Sequence, residues 1–234
     1  MTVHCVWEHN GNDTLLYAIE CVGAFTRGEN LDIALKKMQQ ELVSYFKWKE
    51  ECVVDRFEVV IIQEKQSELV IKDADSDVLF ESEKIPFTMS EYEELKALAL
   101  KSAQDFLNLY RSIPDKNVGD NILRQTFYGQ VPRTATEMYE HTKNVNAYYF
   151  AEIDVEADNI GNIYECRKRG FETLEKKADF LKNLVIEGSY GEDWTLRKVI
   201  RRFIWHDRIH AKAMYRMAKR VFPGESLDNP FHFE

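Results

Sequence analysis

Apolar and polar residues alternate through the first third of the chain, and apolar residues recur at helical spacing through the rest; the rhythm changes near Pro86. Alternation predicts strands over residues 3–8, 14–22, 53–62, 69–71 and 78–81. Asn10-Gly11-Asn12-Asp13 between the first two has the composition of a hairpin turn. A helix over 30–48 interrupts the strands, with Leu31, Ala34, Leu35, Met38, Leu42, Tyr45 and Phe46 on its apolar face. Beyond Pro86, Ser90 and Glu93 form a capping box that opens a helix ending before Pro114. Pro132 and the pair Thr134 and Glu137 open a second over 134–153; a third is expected over 159–183 and a fourth over 193–222. Strands followed by helices predict an α+β chain of two domains. These are a small α/β module over 1–86 and an up-down four-helix bundle over 87–234.

The fourth helix carries the chain's most informative residues. Leu196, Val199, Phe203, His206, His210, Ala213 and Met217 follow the three-and-four spacing of a buried seam. His206 and His210 therefore occupy positions where leucine or isoleucine is expected, and they are neighbours on one helical face. Burying an imidazole is costly unless its nitrogens are satisfied. Two readings do so: core histidines bonded to facing helices, or metal ligands. The seam of the second helix (Met138, His141, Val145, Tyr148, Glu152) turns a third histidine inward. Three inward ligands with a fourth position open is the pattern of a reactive metal site, because structural zinc is closed by four protein ligands. Neutral imidazole suits zinc, nickel, iron or copper, and a divalent transition metal, zinc or nickel first, is the expected cofactor.

These stretches resemble a known family. Val131-Pro132-Arg133-Thr134-Ala135-Thr136-Glu137-Met138-Tyr139-Glu140-His141, Asp193-Trp194-Thr195-Leu196-Arg197-Lys198-Val199-Ile200-Arg201-Arg202 and Trp205-His206-Asp207-Arg208-Ile209-His210 are similar to the DinB/YfiT-like four-helix bundles. That family has one metal-ligating histidine on its second helix and an H-x-x-x-H on its fourth. Carried over, these are His141, His206 and His210. The resemblance implies a metal-dependent enzyme that transfers a thiol to an electrophile or hydrolyses a small substrate. The alternative is a non-catalytic regulator that binds a metal or ligand and contacts a partner protein. Tyr17-Ala18-Ile19-Glu20, the run from Val22-Gly23-Ala24-Phe25 to Thr26-Arg27-Gly28-Glu29, and Leu31-Asp32-Ile33-Ala34-Leu35 resemble the HicB-like module. Such modules bind toxin partners; here a structural or regulatory cover for the bundle is expected.

Composition narrows the partners. A formal charge of −9 disfavours nucleic acid, and with 30% charged residues no apolar run approaches a membrane span. Cys5, Cys21, Cys52 and Cys166 are scattered without a C-x-x-C, and Met1–His9 lacks a signal-peptide plan, so a reducing cytoplasm is expected. Nothing in the pattern speaks against a homo-oligomer. Arg197, Lys198, Arg201, Arg202, Arg208, Lys212, Arg216, Lys219 and Arg220 make the fourth helix basic. A solvated outer face paired with acidic neighbours is expected, against a patch for an anionic substrate or RNA. No strong general base is legible. Glu140 and Asp207 point away from the neighbouring histidines, and Arg167 is expected to pair with Glu152 inside the bundle. The long connection 112–133, with Phe127, Tyr128 and Val131, is expected to cover the site.

Overall fold

The computed structural model describes residues 1–54, 56–120, 125–126 and 129–234. The chain is α+β. Strands β1 (Thr2–Asn10), β2 (Asp13–Ala18), β3 (Phe25–Gly28) and β4 (Glu58–Gln66) form a sheet in the order β3-β2-β1-β4. Asn10 pairs with Asp13, so Gly11 and Asn12 make the expected two-residue turn, with Gly11 at φ +56°. β4 returns parallel to β1 after helix α1 (Leu31–Trp48), whose first turn is capped by the Asn30 side chain accepting from the Ile33 N–H at 3.0 Å.

Alternation divides the sheet between two cores. Val3, Cys5, Leu16 and Ala18 pack with Ala34, Met38 and Leu42 of α1. Val6, Leu15 and Tyr17 pack instead with Ile71, Val78, Phe80 and Trp205. The β1–β4 register shifts between Cys5 and Val6, where Ile62 is the extra residue of a bulge on β4.

Helices α2 (Met89–Ser112), α3 (Ala135–Ala151), α4 (Ile163–Leu174) and α5 (Leu196–Val221) follow. α5 packs on α2 and α3, and α4 packs on the same two. Thr88 with Glu91, Thr134 with Glu137, and Asn162 with Glu165 form the capping boxes. The first lies two residues before the expected Ser90 and Glu93. α4 is half its expected length because Glu175-Lys176-Lys177 gives it no further apolar residue to bury after Phe171 and Leu174.

Other expectations also shift. The run 69–81 contains short 3₁₀ turns at Ile71–Asp73 and Glu81–Lys84 rather than strands, and 22–28 contains β3. Among the described residues of 112–133, β5 (Gln125–Thr126) and β6 (Gly129–Gln130) pair as two short strands and Gly119 bridges to Thr134, while β7 (Ile186–Glu187) pairs with β8 (Asp193–Trp194). The tail folds back: Phe231 and Phe233 are buried, and the Ser44 hydroxyl donates to the Phe231 carbonyl at 2.7 Å. His232 is exposed, as is Cys52; the other three cysteines are buried.

The sequence before Pro86 and the helices after it meet along α5. Three of its basic residues, Lys198, Arg201 and Arg208, are buried there, whereas Arg216, Lys219 and Arg220 are exposed. Arg208 donates to Glu41 of α1 at 2.6 and 3.1 Å, Arg201 donates to Glu83 at 2.5 Å, and Lys198 reaches the Asp77 carbonyl at 2.8 Å. The connecting segment is held as well. Asn183 donates to the carbonyls of Glu83 and Ile85 at 2.7 and 2.8 Å, and Arg197 donates to those of Ile85 and Pro86 at 2.8 and 3.0 Å.

Candidate metal centre

Thr195 starts α5 by accepting from the Lys198 N–H at 3.1 Å, which sets the helical phase of everything after it. One face of that phase carries Val199, Phe203, Asp207 and Ala211 among the helices, and the Asp207 carboxylate there accepts from Arg167 at 2.5 and 3.0 Å. Arg167 therefore pairs with Asp207, not with Glu152. Glu152 accepts from the Ser189 N–H at 2.6 Å, and Glu140 pairs with Lys143 at 2.7 Å. None of these carboxylates is turned to the histidines.

His206 and His210, both 8% exposed, bring their Nε2 atoms to 3.1 Å. His141 approaches from α3, with its ring centroid 5.1 Å from His206 and 4.7 Å from His210. One ligand atom from each of the three lies within 4.8 Å of the others. His141 is partly buried at the edge of α3, whose fully inward residues include Thr142, Asn146 and Tyr149. The expected seam was thus displaced: Tyr148, assigned to it, is 38% exposed.

The surroundings keep the rings neutral. Burial, followed by the neighbouring His210, His141 and Arg202, holds His206 well below the ordinary imidazole range. Burial and His141 bring His210 down to about 3, and burial lowers His141. Neutral imidazoles have lone pairs to offer. Two nitrogens on a tetrahedral ion with bonds of about 2.0–2.1 Å would stand about 3.3 Å apart, close to the observed separation. Nδ1 of His206 is buried without a hydrogen-bond partner, which leaves Nε2 as the nitrogen placed to be satisfied. The donor set fits a divalent transition metal.

The three rings open onto a cavity of about 570 Å³. α5 contributes Arg202, Trp205 and Ile209 to its wall; β3 contributes Phe25 and Thr26; the turn after Ile71 contributes Asp75 and Ser76. Val131 and Pro132 line it, as expected of the long connection, whereas Phe127 and Tyr128 lie outside the described residues. Burial raises the Asp75 carboxyl on the cavity wall above its usual value; the Val70 N–H, and after it Arg202, moderate the rise. Sequence reasoning missed Asp75 because nothing local links it to a histidine more than a hundred positions away. Arg202 had a signal: it precedes His206 and His210 by four and eight residues, the spacing of one helical face.

No helix among the described residues is long and apolar enough to cross a membrane. No family model matches the chain, and no curated protein or solved structure proves similar to it.

Proposed function

We propose that this chain is a metal-dependent enzyme of the DinB-like type, acting on a small substrate by thiol transfer or hydrolysis. In this reading residues 87–234 are the four-helix bundle and 1–86 a HicB-like module that covers it. The supporting observation is the meeting of three neutral imidazoles at the wall of a ligand-sized cavity. His141, His206 and His210 would hold the ion, zinc or nickel, at the cavity wall. A divalent ion held there would supply Lewis acidity to a thiol or water, so that no strong side-chain base would be needed.

The protein's own groups do the rest. Phe25, Trp205 and Ile209 exclude water from the cavity wall. Asp75 stands on the same cavity wall, its carboxyl raised above the usual value by burial. The open cavity favours an enzyme over a closed regulatory site. The test is a panel of small thiols with electrophilic acceptors, and of hydrolysable esters and amides, run with and without zinc, nickel or manganese. Turnover that requires metal and is lost in His206→Ala/His210→Ala is expected. Metal-independent turnover would place the chemistry elsewhere. Absence of turnover, with tight metal binding and a co-purifying protein, would favour the regulator.

A further inference from the structure

α5 turns four basic side chains into the protein, and three have a carboxylate: Lys198 with Glu192 at 2.9 Å, Arg201 with Glu83 at 2.5 Å, Arg208 with Glu41 at 2.6 Å. Arg202 is the exception. Among the described residues no carboxylate reaches ion-pair distance of it, and its Nε and Nη1 are buried without an acceptor. Rings flank the guanidinium instead: Trp205 with its centroid 4.7 Å away, Tyr149 and Trp194 at 5.7 Å. Stacking on rings compensates a desolvated cation only in part, and buried charges are ordinarily paired.

The missing partner has a place to come from. Arg202 lines the same cavity as His206 and His210, on the same face of α5. Trp205 also lines it, and its indole Nε1–H is buried with no acceptor. Two side chains with unsatisfied donors on one wall, one of them charged, match an oxyanion. A guanidinium grips such a group through paired N–H bonds, and an indole adds a single donor. Asp75 stands on the cavity wall but outside ion-pair distance, so it leaves the cation available. We propose that Arg202 and Trp205 form an oxyanion-binding subsite, which holds the carboxylate or phosphate of a small-molecule substrate whose reacting group lies at the three histidines. This rests on the metal-site reading for the second half of the statement; the subsite itself needs no metal.

The test is calorimetric titration of the full chain, metal-free and zinc-loaded, with succinate, inorganic phosphate and uncharged succinamide. Wild type is expected to bind succinate or phosphate at millimolar concentration or below, and not succinamide; the two anions separate the carboxylate from the phosphate case. Arg202→Met should weaken binding about tenfold or more, and Trp205→Phe severalfold, with zinc content unchanged. Arg202→Lys keeps the charge and should retain part of the affinity. Wild type that binds neither anion, or succinamide as well as succinate, overturns the subsite. So does unchanged affinity in Arg202→Met. If that variant does not fold, Arg202→Lys and Trp205→Phe decide, and wild-type affinity in both overturns it. Anion binding in a protein that takes up no zinc would remove the metal reading and leave the subsite standing.

Discussion

Arg167 and Asp207 form a two-pronged ion pair at 2.5 and 3.0 Å with both side chains fully buried among the helices. Asp207 follows His206 directly, about 100° round the helix, so the pair fixes the rotation of α5 from the face beside the cavity. With Asp207 held inward by α4, His206 can only face His210, His141 and the open space.

Removing one partner of that pair leaves a lone buried charge. Asp207→Ala should destabilise the protein by about 3–5 kcal/mol, read as a lower midpoint in urea. The double change Arg167→Met/Asp207→Leu should recover much of the loss, because a buried ion pair is replaceable by apolar packing. A single variant as stable as wild type would mean that solvent reaches the pair.

Metal stoichiometry tests the triad itself. About one zinc or nickel per chain is expected after reconstitution. His206→Ala/His210→Ala should abolish uptake, and His141→Ala should weaken it strongly. Elemental analysis after dialysis checks this; equal metal in all three proteins would remove the site.

The lowered imidazoles make the metal-free protein acid-sensitive. Burial depresses all three, His210 to about 3. The unfolded chain then takes up protons first, as pH falls below about 6.5. Their contribution to stability is complete above that value and is lost as pH falls toward about 3. Denaturation of metal-free wild type between pH 8 and 4 should show a steeper decline than His206→Ala/His210→Ala, which retains only His141. Parallel curves would mean that the rings are solvated.

The seam between the first and second parts of the chain has its own probe. Gly23 has φ +87°, and a Cβ there would stand 2.5 Å from the Ile204 side chain on α5. Gly23→Ala combines backbone strain with overpacking and should cost about 1–3 kcal/mol. Asn183→Ala removes a donor from the Glu83 carbonyl and leaves the Ile85 carbonyl with Arg197 alone, and should expose residues 83–87 to protease. Wild-type proteolysis rates in that variant would show that the remaining contacts, those of Arg197 included, hold the segment alone.

By itself the sequence determined what is local. Side-chain caps at Asn30 and Thr134, the two-residue turn at Gly11 and the paired histidines four residues apart are set by neighbours along the chain, where spacing is information. His141 was legible for the same reason, although Tyr149 rather than Tyr148 faces inward, since a seam read from spacing alone can slip by one residue. Tertiary structure decided the rest. Whether α5's basic residues face water or protein depends on what lies opposite, and Glu41 and Glu83 are 167 and 118 residues away from their arginines. The cavity, Asp75 on its wall and the unpaired Arg202 exist only because the sheet and its following turns are brought against α5. No periodicity along one segment encodes which distant surface will cover it; burial and charge pairing between segments do.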